Sequence, residues 1–257
     1  MPITKHNFIV KDVEKLAETI RKAFRIARSG RPGPVLIDIP KDVQIAKYEY
    51  TPKAPVHPEE PHATKDIRIH DAAEQINMSK RPYVYFGGGL ISAGAQEELL
   101  TLAEKIDAPV GCSMMGISGI PTDNPRFLGM QGMHGHYASS TAMHHADLII
   151  SLGVRFNDRV TGNRAKFAAG AKIIHIDVDG SELSKNVNAV CGLRGDLKLT
   201  LQKLLPLISE SKKESWNSEV RSFVEKEHEY LDNREELTPR RAVLTLNKHL
   251  GVNTAVA

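Results

Sequence analysis

Arg155 and Arg159 flank Asp158 in the segment Gly153–Asn163, GVRFNDRVTGN, directly after an apolar run. Two planar guanidinium forks at such a place suit a diphosphate or the face of a flat ring, and Asp158 can orient one of them. Four further clusters share that placement: Gly87–Gly89, the GMHG of Gly132–Gly135, the HIDVD of His175–Asp179, and Gly195–Asp196. Each lies at or just beyond the carboxyl end of a predicted strand, where ligands of open α/β sheets collect. The repeated placement implies one nucleotide-binding crevice. Plainer roles stand beside this one: a tight turn for the glycines, a surface ion pair for the arginines, and a helix cap for Asp177, in front of a helical turn from Ser181.

Metal and acid–base chemistry find less support. His134 and His136 have no carboxylates or cysteines at ligand spacing, and His144 and His145 are adjacent on a predicted helix. Met114, Met115, Met130 and Met133 can pad a flat ring or fill a core. The sequence holds no GxSxG elbow, no P-loop lysine, no HExxH and no spaced GxGxxG. The expectation is a binding site without catalytic or metal-ligating residues of its own.

The elements that must position these residues fall into zones. Residues 11–29 carry Val13, Leu16, Ala17, Ile20, Ala23, Phe24 and Ala27 at helical spacing, and 35–40 read as a short apolar strand, forming an α-then-β unit. Proline-rich residues 48–65 read as an extended linker. Strands are expected at 82–87, 108–113, 147–153 and 172–178, with Phe127–Met130 or Ala189–Leu193 as further ones. Helices are expected at 66–79, 93–106, 136–145 and 196–208, giving an α/β, Rossmann-like parallel sheet with helices on both faces. A charged connecting helix over 209–237 follows. Thr238-Pro239 then starts another helix, and the chain closes in a strand-like Val252–Ala257.

The 257 residues are 41% hydrophobic and 25% charged, as expected of a chain with a real core, and the formal net charge of +3 comes without a basic stripe. Nucleic acid is therefore not an expected partner. No run reaches the ~18 apolar residues of a membrane span, and the two cysteines, Cys112 and Cys191, form no disulfide or zinc pattern. A cytoplasmic location is expected.

GRPGPVLIDIPKDVQ (Gly30–Gln44), FGGG (Phe86–Gly89), LGMQGMHG (Leu128–Gly135), ADLIISLGVRFNDRVTGN (Ala146–Asn163), IIHIDVD (Ile173–Asp179) and LTPRRAV (Leu237–Val243) closely resemble the acetohydroxyacid (acetolactate) synthases. GRPGPV is shared by many thiamine-diphosphate enzymes, whereas RFNDRVTGN with GMHG points to the synthase branch, glyoxylate carboligase being the nearest alternative. The resemblance implies a flanking remnant of the pyrimidine-binding domain (1–47), a whole FAD-binding middle domain (66–208) and the start of a diphosphate-binding domain (238–257). The thiamine glutamate and the GDG…N motif for magnesium and diphosphate would lie outside this stretch, so no synthase activity is expected of it alone.

By the same resemblance the flavin contacts would be Arg31, then Gly87, Gly88, Gly89 and Ser92, then Ser113, Met114 and Met115. Gly132, Met133 and His134 would line the opposite wall, with Gly153, Val154, Arg155, Asn157, Arg159 and Val160 as the main clamp. Asp177, Val178, Gly195 and Asp196 would lie toward the adenosine. Position 157 is asparagine where the family usually has aspartate. The implied partners are a second large subunit and a small regulatory subunit.

Overall fold

A computed structural model describes residues 3–54, 61–232, 237–251 and 254. It opens with a parallel strand pair, β1 (His6–Ile9) and β2 (Val35–Asp38), joined through helix α1 (Leu16–Arg28). This corrects the α-then-β expectation: His6–Ile9 is a strand although a histidine and an asparagine hide its pattern. The expected 11–29 helix begins with a 3-10 turn at Val13–Lys15, where Asp12 accepts a hydrogen bond from the Glu14 amide. Strand β2 is not covered on both faces, since Leu36 is 54% exposed. A short helix, α2 (Lys41–Ile45), follows, and the described linker residues carry no regular structure.

Residues from Asp66 onward build the main body. Helix α3 (Asp66–Met78) precedes β3 (Pro82–Phe86), α4 (Gly88–Ala93), α5 (Gln96–Lys105) and β4 (Val110–Cys112). Then come β5 (Phe127–Met130), α6 (Tyr137–His145), β6 (Leu148–Leu152), α7 (Asp158–Thr161), β7 (Lys172–Asp177), β8 (Cys191–Arg194) and α8 (Leu197–Leu204). The six strands form one all-parallel sheet in the order β5-β4-β3-β6-β7-β8. Both optional strands of the sequence reading are therefore present.

Every residue of β3 and of β6 is buried, as the continuous apolar runs PYVYF and LIISL require of a sheet covered on both sides. Alternate residues face opposite layers. Val84, Phe86, Ile150 and Ile174 pack with α3, α5 and α8 through Ile69, Ile76, Leu99, Leu102 and Leu201. Tyr83, Tyr85, Ile149 and Ile173 pack with α6 and with α9 (Glu214–Asp232) through Ala142, Trp216, Val220 and Phe223. The connecting helix is thus part of the second layer. Trp216 secures it by donating Nε1–H to the Pro82 carbonyl at 3.0 Å.

The helix expected at 93–106 is α5, which starts only at Gln96; the short α4 before it was not expected and ends at Gly94, left-handed at φ +61°. The helical turn expected from Ser181 is a run of hydrogen-bonded turns, with the Glu182 amide bonding to the Asp179 carbonyl. The last described helix is α10 (Pro239–His249), capped by Thr238. The expected closing strand lies outside the described residues apart from Thr254.

The strand order gives the site its address. Chain progression runs outward from β3 through β4 to β5, then restarts at β6 and runs the other way to β8. The two loops leaving the carboxyl ends of β3 and β6 therefore lie at a switch point, where ligands of open α/β sheets bind.

Candidate functional site

Neighbouring loops at the strand ends are stapled by backbone hydrogen bonds. The Gly87 amide donates to Leu152 O at 3.1 Å, Gly89 to Gly153 O at 3.0 Å, Gly153 to Ile176 O at 2.9 Å, and Gly195 to Asp177 O at 3.1 Å. The fit between the first two loops leaves no room for a side chain. A Cβ on Gly153 would stand 2.7 Å from Gly89 Cα, and Gly153 is also left-handed at φ +54°. The glycines after β3 therefore serve loop-on-loop packing, which neither the turn reading nor the ligand reading of the sequence anticipated.

On the β3 side, the Ser92 hydroxyl donates back to the Gly88 carbonyl at 3.1 Å. Ser113 ends β4 with its amide on Phe86 O at 2.8 Å and starts a 3-10 turn, Met114–Gly116. This turn abuts the glycines, because a Cβ on Gly88 would lie 3.2 Å from that of Met115. Met114 and Met115 are 66% and 76% exposed, and Met133 from the next loop is 66% exposed. Met130, by contrast, packs partly buried against the core.

The wall carrying Gly132, Met133 and His134 meets the arginine loop directly. The Met133 amide donates to Arg159 O at 2.8 Å, and a Cβ on Gly132 would come within 2.5 Å of the same oxygen. His134 is exposed. Asn157 caps α7 by accepting from the Val160 amide at 3.2 Å, a task asparagine and aspartate perform alike. Val154 is buried beneath the loop, while Val160 is half-buried.

Asp158 contacts Arg159 through a single 3.3 Å contact, Nη1 to Oδ2, between exposed side chains, not the bidentate pair the spacing suggested. Arg155 instead sits 3.6 Å from Glu182 Oε1, an oxygen it shares with Lys185 at 3.1 Å. Sequence reasoning missed Glu182, whose only signal was a carboxylate three residues before a lysine in the turn after β7.

At the end of β7, Asp177 Oδ1 accepts from the Asp179 amide at 2.8 Å, and burial pushes its carboxyl up from the usual value. Asp179, not Asp177, is the cap at Ser181: its Oδ1 accepts from the Ser181 amide at 3.0 Å and the hydroxyl at 2.7 Å. The Ser181 hydroxyl bond holds its carboxyl below the ordinary value, and the nearby Arg31 guanidinium adds to this. Arg31, from the turn between α1 and β2, thus lies toward the β7 end of the rim. Val178 is exposed. Asp196 caps α8 through Leu199 at 2.9 Å and donates its own amide to His62 O at 2.8 Å, so Gly195 and Asp196 lie against the end of the linker.

One buried group under the rim received no role from the sequence. His175, 1% exposed in β7, donates Nε2–H to the Val154 carbonyl at 3.0 Å and meets Phe156 edge-on at 5.3 Å. Burial lowers its pKa, so the ring is a neutral strut for the arginine loop.

The sequence that builds these loops is matched by known proteins. The profile described as "Thiamine pyrophosphate enzyme, central domain" fits residues 69–204. The chain belongs to this family of enzymes. Its matched stretch runs from within α3 to the end of α8, the whole six-stranded sheet of the central domain.

Among curated thiamine pyrophosphate enzyme relatives, the probable acetolactate synthase large subunit of Methanocaldococcus jannaschii is 46% identical over 233 residues, 84% of this chain and 38% of that protein. The acetolactate synthase large subunit of Haemophilus influenzae is 39% identical over 233 residues, 86% of this chain and 41% of its own length. The isozyme 1 large subunit of Escherichia coli is 42% identical over 221 residues, covering 86% and 39%. The chain spans about two fifths of the length of these relatives. Among the described residues, no helix is long and apolar enough to cross a membrane.

Proposed function

We propose that this chain is part of an acetolactate synthase large subunit and that its switch-point crevice holds FAD. One observation carries the flavin reading: Met114, Met115 and Met133 stand exposed on loops that backbone hydrogen bonds tie to the one bearing the exposed Arg155 and Arg159. Exposed methionines are costly to leave in water and suit the face of a flat ring. The arginine forks suit a diphosphate. Asp177, with one oxygen on a backbone amide, keeps the other for a ribose hydroxyl.

The residues present fit the group. Gly87, Gly88, Gly89 and Ser92 would flank the diphosphate with Arg155 and Arg159, and Gly153, Val154, Asn157 and Val160 would shape that clamp. Ser113, Met114, Met115, Gly132, Met133 and His134 would border the ring, and Arg31, Asp177, Val178, Gly195 and Asp196 would lie toward the adenosine. FAD, when bound, supplies a redox-capable ring that a carboligation does not consume, because joining two 2-oxo acids with loss of carbon dioxide needs no net electrons.

The whole enzyme's reaction on this reading is thiamine-diphosphate-dependent decarboxylation of pyruvate and transfer of the two-carbon unit to a second 2-oxo acid, within branched-chain amino acid synthesis. The chain by itself would form no acetolactate. Its magnesium and thiamine diphosphate would be held by parts of the subunit beyond this stretch. Partners would be a second large subunit and, as the name "large subunit" borne by the relatives suggests, a small regulatory one. The open faces of β2 and α10, with Leu36, Val243 and Leu246 exposed, suit such neighbours. The location would be the cytoplasm, in keeping with two free, buried cysteines.

Titrating FAD with the purified chain, followed by flavin fluorescence, tests the reading. Saturable binding is expected, weakened about tenfold or more by Arg155→Ala and by Arg159→Ala, the loss typical of a charge-assisted hydrogen bond. A flat titration, or a response to NADH in place of FAD, would overturn the flavin assignment.

A further inference from the structure

Helix α6 begins immediately after the loop that bears Met133 and His134, yet no side chain of its own caps its first turn. A carboxylate from another helix occupies that place. Glu227 of α9 accepts from the Ala138 amide through Oε2 at 2.9 Å and from His136 Nδ1 through Oε1 at 2.7 Å, with its side chain only 12% exposed. A buried anion on the free amides of a helix start is favoured by both hydrogen bonding and the helix dipole. His136 is fixed in turn: its amide donates to Met130 O at 2.8 Å, and its ring lies over Gly129, where a Cβ would run into it. Gly135 N closes the loop onto Gly132 O at 2.9 Å.

We propose that Glu227 is a positioning residue, which anchors the Gln131–His136 loop through His136 and the Ala138 amide and so fixes the wall of the crevice. The ligand part of this role rests on the flavin reading above; the loop part does not. A second pair on the same two helices supplies the control. His145 Nδ1 donates to Glu219 Oε1 at 2.9 Å at the opposite end of α6, away from the crevice. If Glu227 merely docked α9, Glu219 would matter as much.

The test measures amide hydrogen exchange across residues 130–138 without ligand, and FAD affinity, in the same chain. Glu227→Ala is expected to speed exchange in that segment and weaken FAD binding about fivefold. Glu227→Gln, which retains an acceptor oxygen, should restore both to within about twofold. His136→Phe, which removes one arm and leaves the helix cap, should give a smaller change in the same direction and serves if the alanine variant does not fold. Glu219→Ala should leave both readouts unchanged.

Unaltered exchange in Glu227→Ala, or an equal effect of Glu219→Ala, would overturn the positioning role. Faster exchange in Glu227→Ala with FAD binding as in the parent chain would limit Glu227 to the helix start and overturn its link to the crevice. If the parent chain fails to bind FAD while exchange responds as expected, the flavin reading falls and the loop anchor stands.

Discussion

Replacing Gly153 by alanine separates two costs that the rim of the crevice combines. The first is conformational: φ of +54° is left-handed, costing a residue with a Cβ about 1–2 kcal/mol, offset in part by about 0.4–1 kcal/mol from the stiffer unfolded chain. The second is steric. The new Cβ would lie 2.7 Å from Gly89 Cα and 2.8 Å from Gly89 C, both backbone atoms that no rotamer change can move. Overpacking of this kind costs about 1–3 kcal/mol. Gly94 isolates the first cost, since it has φ of +61° and a Cβ there would meet nothing within 4 Å. Gly94→Ala should therefore cost about 1 kcal/mol and Gly153→Ala about 2–4 kcal/mol. Urea unfolding followed by Trp216 fluorescence measures both. Equal losses in the two variants would refute the close packing of the β3 and β6 loops.

Stability should fall on acidification because of His175. Burial depresses its folded-state pKa below the ordinary 6.5, so the unfolded chain takes up the proton first. The contribution is present above the unfolded value of about 6.5 and is lost as pH falls below it toward the folded-state pKa, and His175→Gln should flatten that part of a urea-midpoint profile against pH; an unchanged slope would argue against a neutral buried strut. Trp216→Ala should cost about 3–5 kcal/mol by opening the second core layer, and a loss below about 1 kcal/mol in thermal or urea unfolding would mean that α9 is not docked as described. Cys112, whose thiol burial pushes up to about 11, and Cys191, raised by the same cause, should both resist a thiol reagent in the native chain and react after unfolding, whereas rapid native labelling would contradict their burial.

The buried strands were legible because parallel strands covered on both sides read as unbroken apolar runs, as at Tyr83–Phe86 and Leu148–Leu152. Strand β1 was not, since HNFI has neither alternation nor an apolar run and becomes a strand only by pairing with β2. Nor was helix α4, since it starts within the glycine run Gly87–Gly89 that reads as a turn. The placement of the glycine and arginine clusters at strand ends was legible, but how their loops pack together was not. Contacts such as Gly89 on Gly153, or His175 on Val154, join segments far apart in the chain, and local spacing carries no trace of them. Glu227 is the same case: nothing in a charged helix marks one glutamate as the cap of another helix 89 residues away.

The chemistry available to the rim follows from what its polar groups are already doing. Of its groups with displaced pKa values, His175 donates a hydrogen bond to Val154 O, and Asp177 and Asp179 accept from backbone amides of the turn beyond β7. Displaced pKa values often mark acid–base sites, but a group bound to backbone on its working atom holds shape first. Among the side chains left facing outward are Met114, Met115, Met133, Arg155 and Arg159, which offer apolar contact and positive charge. On the flavin reading, a rim so built would grip a flat, anionic molecule and leave bond-making to groups elsewhere. The glycines that face other loops make a rigid frame, which on that reading would keep the exposed arginines and methionines in register for the ligand.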